Sequence, residues 1–436
     1  MAVLIRLNDG STTYSLTSGS NVLVMGYTPK VGAADALTVV DTLGLLLYGA
    51  SAAAVQTAAW TIEQILVKAR MRQAQQAGQR IFLEMQLDAD SEYWRAEIMD
   101  GRLEFADGAL DIQSTKKVEA LLIVERVNFW ESSETELAIS TSGSGAGTGG
   151  KTIENHDDAG AGDDNWVEIA AGQVGGALPA PCRITLTNNV GSSQAYRNLY
   201  IAVNAYSDPA NFAHILEGEA AAPSYGTSTS DSNSSNSAYL AKTWSGSTFI
   251  QWTLPSATLQ DGGGRFFRLL ARFVSVSGGF YAKPVIRDST GLVDLFIGDE
   301  VYVSSSTPIV DLGAVPLPPD QGAVSWSSLT LLLMIRATAS TSIGVDFVQF
   351  TPIDSFARIY QRGLNITNGS TITVDSIDNT VHVGGQPIYT PIGLPLFLYP
   401  NLQQRILFLH DTNASNPPIA NSFSVRVYYR KRRATL

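Results

Sequence analysis

The chain has 436 residues, too many for one ordinary hydrophobic core, so two or three domains are expected. A hydrophobic content of 44% excludes wholesale disorder, and 16% charged residues amid plentiful Gly, Ser, Thr and Asn suits strands joined by many turns. The net charge of -11 argues against a nucleic-acid binder, which needs a basic surface, and the single cysteine, Cys182, excludes a disulfide framework.

In chain order, residues 3–7 read as a strand ended by the turn signal Asn8-Asp9-Gly10, and residues 21–27 as another. The apolar run at 43–55 contains Gly and Ser and is mostly Ala, so it makes no membrane span. One helix is predicted over about 57–77, with Ala59, Ile62, Leu66 and Ala69 on one face and Ile65 beside them, Thr57 as its cap and Gly78 as its end. Alternating runs follow at 81–85, 93–98 and 118–127, with Asp100-Gly101 as a hairpin signal between two of them. Residues 1–140 therefore predict an α+β module, a sheet with one helix packed on it.

The stretch TSGSGAGTGG opens a flexible linker expected over 141–165. Strands at 166–170, 183–187 and 199–203 start a new β region, with Cys182 as a small buried hydrophobe at a strand start. Between 212 and 354, short strands at 249–254, 266–274, 293–297, 329–335 and 345–350 predict a jelly roll, with a Ser/Asn-rich exposed loop at 224–237. Both ends of this region, near His214 and Phe350, read as strands, which marks it as an inserted domain. Strands at 372–374, 380–383 and 405–409 and the closing run FSVRVYYRKRR are too few for a sandwich of their own; with 166–211 they form a split β-sandwich, 166–211 and 355–436. In the closing run Phe423, Val425, Val427 and Tyr429 alternate with Ser424, Arg426, Tyr428 and Arg430, and Arg426, Arg430, Lys431, Arg432 and Arg433 read as a solvated or partner-facing edge. No basic segment followed by an apolar one opens the chain, so no secretory signal is expected.

No catalytic constellation is found, and the chain reads as a non-enzyme without a certain cofactor. His156, His214, His382 and His410 stand apart from one another and from Cys182, and His156 with Asp157 and Asp158 reads as a solvated glycine-rich loop. G-x-S-x-G and P-loop patterns are absent, and the glycines at 143–150 lack a strand-to-helix context. Glu217 and Glu219, at alternate strand positions, share a face, which suits cation binding better than hydrolysis. Tyr225, Tyr239, Trp244, Trp252 and Tyr281 fall in or near loops of the 212–354 region; Trp252 reads as core, while Trp244, before Ser-Gly in a turn, reads as exposed and, with Tyr225 and Tyr239, as glycan-binding.

Several of these stretches carry a family likeness. WTIEQILVKAR at 60–70, RIFL at 80–83, WRAEIMDGRL at 94–103 and LIVERVNFWESSETEL at 122–137 follow one another in an order similar to the tail proteins of long-tailed phages. ITVDSIDNTVHV at 372–383, LFLYP at 396–400, QRILFL at 404–409 and the closing VRVYYRKRR resemble the end of distal tail proteins. The resemblance implies a mainly β chain with an N-terminal α+β ring-type domain and a galectin-like sandwich. It also implies a homo-hexameric or trimeric ring, tail-tube and tail-tip or hub proteins as partners, and a place in the virion tail after synthesis in the host cytoplasm. LEGEA at 216–220, GRFFRLLARF at 264–273 and VDFVQFTPID at 345–354 are similar to jelly-roll carbohydrate-binding modules. That likeness implies a structural calcium at the matching Glu217, Glu219 and Asp346, and a host-surface polysaccharide as a partner of the insert. A carbohydrate-binding surface or secreted protein without catalytic activity is the alternative.

Overall fold

The computed structural model describes the chain except residues 1–2, 18, 34–35, 76–78, 88–90, 106–115, 157–163, 206–213, 223, 255–262, 289, 306–307, 319–328, 389–391, 394 and 413–422. It forms two compact units, one of Met1–Glu134, Gly175–Leu178 and Arg430–Leu436, the other of Thr135–Val174 and Pro179–Tyr429. The chain is mainly β, with one α-helix among the described residues.

In the first unit, β1 (Leu4–Asn8), β2 (Thr13–Ser15), β3 (Val22–Gly26), β4 (Thr38–Tyr48), β5 (Phe82–Gln86), β6 (Trp94–Phe105) and β7 (Lys117–Val127) form an antiparallel sheet ordered β2-β1-β5-β6-β7-β4-β3, and β8 (Trp130–Glu131) pairs with β6. Helix α1 (Ala52–Gln75) buries Val55, Ile62, Leu66 and Ala69 in one core with Leu43, Leu45, Ala96 and Leu122 of the sheet. The helix begins five residues before Thr57. Ser51 Oγ accepts the Ala54 N–H at 3.3 Å, and the Thr57 hydroxyl bonds back to Ala53 O at 2.9 Å inside the helix. Gly78, expected to end it, lies outside the described residues. Asp100-Gly101 is no hairpin turn but a bulge within β6, where the register against β7 shifts between Ile98 and Asp100. Glycine is required there because a Cβ at Gly101 would stand 2.8 Å from Leu66 Cδ2 and 3.0 Å from Ile123 O. The eleven-residue β4 was not foreseen as a strand.

The second unit continues with β9 (Thr135–Glu136), β10 (Ile139–Thr141), β11 (Ser144–Gly147), β12 (Lys151–Ile153), β13 (Trp166–Ile169), β14 (Ala180–Asn188) and β15 (Gln194–Asn204). Part of the expected linker is therefore sandwich: β10 and β11 form a hairpin, β10 pairs with β13, and β12 pairs with the closing strand, while 157–163 lie outside the described residues. Small polar residues fit a tight hairpin as well as a coil, so composition did not separate the two.

Then come β16 (Ile215–Glu217), β17 (Thr227–Ser230), β18 (Ala238–Thr253), β19 (Phe266–Val274), β20 (Phe280–Arg287), β21 (Asp294–Ile297), β22 (Val301–Val303), β23 (Ile309–Pro316) and β24 (Thr330–Pro352). The 23-residue β24 pairs with β18 along much of its length, with β20 in its first part and with β16 and β19 in its second. These strands enclose a core of their own around Trp252, Phe267, Phe273, Phe280 and Phe350. Residues 224–237 were expected as an exposed loop; β17 lies within them, and Ser234 and Ser235 are fully buried.

The chain then returns as β25 (Phe356–Ile366), β26 (Thr371–Asp375), β27 (Thr380–Val383), β28 (Gln386–Ile388), β29 (Ile392–Gly393), β30 (Phe397–Leu398), β31 (Gln404–Thr412) and β32 (Phe423–Tyr429). Two sheets result, β11-β10-β13-β31-β15-β25-β29 and β12-β32-β14-β26-β27-β28, with β30 on β14 and β9 on β32. Cys182, Ile184 and Leu186 of β14 share their core with Phe423, Val425, Val427 and Tyr429 of β32. The outer face of the β15–β25–β31 sheet meets β16 to β24 in a smaller apolar cluster of Tyr200, Ala202, Phe356 and Leu409 with Leu270, Ile309 and Phe347.

The last strand, β33 (Arg432–Arg433), pairs with β8 of the first unit. Most of the closing basic run is thus not a free edge. Arg432 Nη2 lies 2.5 Å and Arg430 Nη1 3.6 Å from Glu131, Lys431 Nζ is 3.5 Å from Glu92, and Arg433 stacks over Trp94 at 3.3 Å. Arg426 stays on the surface, 4.0 Å from Glu136. Burial lowers the pKa of Arg432, against the pull of Glu131.

Candidate functional site

The three expected calcium ligands come to one turn. Pairing of β16 with β24, and a Gly218 N–H bond to Asp346 O at 2.6 Å, bring Glu217 and Glu219 beside Asp346. The approach is so close that a Cβ on Gly218 would collide with Val345 O. Asp346 is fully buried: Oδ1 accepts the Ser235 N–H at 2.9 Å, and Oδ2 is paired with Nη1 of the equally buried Arg272. Arg272 Nη2 donates to Asn233 O at 2.9 Å. Glu217 Oε1 accepts the Ser235 hydroxyl and Glu219 Oε1 the Asn236 amide, both at 2.8 Å. Burial pushes the Asp346 carboxyl up to about 7, against the opposing pull of Arg272. Among the described residues no group of three or more His, Cys, Asp or Glu is arranged to hold a metal ion. The cation paired with Asp346 at this node is the guanidinium of Arg272.

The expected glycan-binding aromatics are not a surface platform. Trp244 is 5% exposed and belongs to the core, because β18 runs on through the Ser-Gly expected to turn and pairs Trp244 with Thr341. Tyr225 is half-buried against the same core and donates to Gln251 Oε1 at 3.3 Å. Tyr239 is half-buried opposite Thr229 on β17. Trp252 is core, as read from sequence, with Nε1 donating to Glu217 O at 2.8 Å. His156 is buried rather than solvated, its Nε2 3.1 Å from Glu154.

A cleft of about 500 Å³ that sequence reading missed lies where the outer face of β15 and β25 meets β22 and β23. Asn198 and Tyr200 pair with Tyr360 and Arg358, so the four side chains share the face opposite the sandwich core. Where that face meets β16 to β24 in the cluster around Phe347 it is apolar; in the cleft it is lined by Arg197, Asn198, Asp311 and Arg358. Arg358 is held firmly: Nε and Nη2 both donate to Asn198 Oδ1, at 2.9 and 2.8 Å, and its guanidinium lies about 5.5 Å from the Tyr200 ring and 5.4 Å from the Tyr360 ring. Asn198 in turn donates to the buried Asp411 at 2.9 Å. Burial raises Asp411 to about 6, while Asn198, Arg197 and Arg358 pull the other way. The register shift between Tyr196 and Asn198 lets Arg197 line the same cleft. From the insert come Tyr302, which is 58% exposed and packs edge-on to Tyr281 at 5.3 Å, and Asp311, which is paired with Arg268 at 2.6 Å. The only local signal is a polar residue two before a tyrosine, Asn198-Leu199-Tyr200 and Arg358-Ile359-Tyr360, on strands about 160 residues apart.

No family profile matches the chain, and no curated protein is found similar to it. Among solved structures it is similar to a GH26-CBM35 β-(1,4)-mannanase of Podospora anserina, with 15% identity and a TM-score of 0.24, over 32% of this chain and 27% of the mannanase. It is also similar to a chain of the phage P2 baseplate in its activated conformation, with 9% identity and a TM-score of 0.26, over 77% of this chain and 99% of that one. The same baseplate with strontium gives 10% identity and a TM-score of 0.26 over the same shares. Among the described residues no helix is long and apolar enough to cross a membrane.

Proposed function

We propose that this chain is a non-catalytic structural component of a phage tail tip. It assembles as a homo-oligomeric ring between tail tube and baseplate or hub proteins, and the β16–β24 insert contacts host-surface glycans. The observation that carries the reading is a set of exposed apolar side chains on one sheet face of the first unit, among the described residues. On the sheet side away from α1, Leu23 stands opposite Leu46 and Leu121 opposite Gly44, and Leu23, Met25, Val40 and Leu121 are exposed. Exposed apolar side chains gathered on one face of a chain poor in charge are what a symmetric assembly buries, here with Glu104, Glu119 and Glu125 among them. The sequence likeness of 60–137 and 372–433 to tail proteins supports the same assignment. The test is mass spectrometry of purified virions together with light scattering of the purified chain. The expected result is presence in virions and a hexamer or trimer that Leu121→Lys reduces to monomer. A monomer at tens of micromolar, absent from virions, would refute it and favour the carbohydrate-binding reading.

A further inference from the structure

We propose that the cleft between β15, β25, β22 and β23 binds an acidic saccharide, one bearing carboxylate or phosphate groups. The proposal gives a site and a ligand class to the glycan contact proposed above, and it rests on that reading. Three features carry it. The first is charge. Arg197 and Arg358 line the cleft against one acid, Asp311, which already holds Arg268 at 2.6 Å. The cleft is thus a cationic spot on a chain of net charge -11, and it selects for an anionic ligand.

The second is preorganisation. Asn198 fixes the Nε and Nη2 edge of Arg358, and Asp411 fixes Asn198. Among the described residues, Arg358 Nη1 has no hydrogen-bond acceptor; its nearest carboxylate, Asp311, stands at 3.9 Å. A guanidinium held this way presents its remaining N–H groups to an incoming oxyanion without losing side-chain freedom on binding.

The third is shape. Tyr302 on the insert wall and Tyr360 on the sandwich wall are 58% and 49% exposed, an unusual degree for tyrosines lining one cleft. Each ring is fixed by a neighbour, Tyr302 by Tyr281 and Tyr360 by Arg358. Exposed, rigid aromatic faces beside hydrogen-bonding groups suit the apolar faces and polar rims of pyranose rings.

The test uses the full chain and calorimetric titration with three probes: tetragalacturonate, a glycerol-phosphate oligomer and neutral cellotetraose. At least one charged probe is expected to bind, at least tenfold more tightly than cellotetraose, and more weakly as salt rises. Whichever charged probe binds identifies the anionic group. Tyr302→Ala, at the rim, is expected to weaken binding at least tenfold with the melting temperature unchanged, and Arg358→Gln to weaken it at least as much. If Arg358→Gln fails to fold, Tyr302→Ala decides alone. Binding of neither charged probe, equal binding of cellotetraose, or full binding by Tyr302→Ala would overturn the proposal. Virion composition is measured independently, so failure of the cleft leaves the tail assignment to stand or fall on its own test.

Discussion

The buried pair Asp41–Arg126 offers a sharp test of what holds the first unit together. Both side chains are fully buried, with Arg126 Nε 2.6 Å from Asp41 Oδ2. Every edge of the pair is used. Arg126 Nη1 donates to Val127 O at 2.9 Å, Nη2 donates to Lys30 O at 2.8 Å, and the guanidinium lies 4.5 Å from the Trp130 ring. Asp41 also accepts the Tyr27 hydroxyl at 2.6 Å and the Lys30 N–H at 2.9 Å. Asp41→Ala strands a buried guanidinium and leaves the Tyr27 hydroxyl and the Lys30 N–H without their acceptor, which costs about 3–5 kcal/mol. For a unit of this size that lowers its melting temperature by about 6–20 °C. Replacing both partners, Asp41→Leu with Arg126→Met, removes the uncompensated charge and should cost much less than Asp41→Ala alone. Calorimetric and urea unfolding of the full chain measures all three variants. A cost below about 1 kcal/mol for Asp41→Ala, or simple additivity in the double variant, would refute the reasoning. The same pair holds the segment carrying the exposed Val31 and Leu37 through Lys30, so Asp41→Ala should also weaken the proposed ring assembly.

Two further outcomes follow from the second unit. Asp411 is raised from 3.8 to about 6 in the folded chain, so its stabilising contribution is complete below about pH 4 and is lost as pH rises through 6. Asp411→Asn should therefore be more stable than the parent by up to about 3 kcal/mol at pH 7.5, with the difference closing by pH 4; a gap independent of pH in urea titrations would sink this. Because Arg272 supplies the countercharge for Asp346, EDTA should leave the melting temperature unchanged; a fall of several degrees restored by calcium would instead put a metal among Glu217, Glu219 and Asp346.

Legibility in the sequence followed the range of the interactions. The closing strand was visible because Phe423, Val425, Val427 and Tyr429 are buried while Ser424, Arg426 and Tyr428 are not, so solvent wrote the alternation into the residues. The helix face was visible for the same reason. The fate of Arg430, Lys431 and Arg432 was not, since their partners Glu131 and Glu92 lie about 300 residues earlier and a basic run looks alike whether solvated or paired. Trp244 misled because Ser245-Gly246 resembles a turn, while the pairing that carries β18 onward comes from β24, about 90 residues later. The cleft draws its residues from four strands spread between 197 and 360, so the sequence carries only the weak signal of a polar residue two before a tyrosine on two of them.

The miss at β4 bears on assembly. Leu43, Leu45 and Leu47 point into the core of the first unit, and a strand with one solvated face would alternate them with polar residues. The intervening positions are instead Thr42, Gly44, Leu46 and Tyr48, so the segment looked like a featureless apolar run. In a sheet whose other side carries α1, such a strand leaves apolar side chains on its outer face, which the proposed assembly would bury. Val40 and Tyr48 on β4 and Leu121 on β7 remain exposed; Leu121 stands between Glu104 of β6 and Gly44 of β4, and Gly44 is itself opposite Gly26. The pattern that hid the strand from sequence reading is the pattern the proposed interface would use. Leu121→Lys therefore tests both at once: it should leave the melting of the isolated chain within about 0.5 kcal/mol of the parent while abolishing the oligomer.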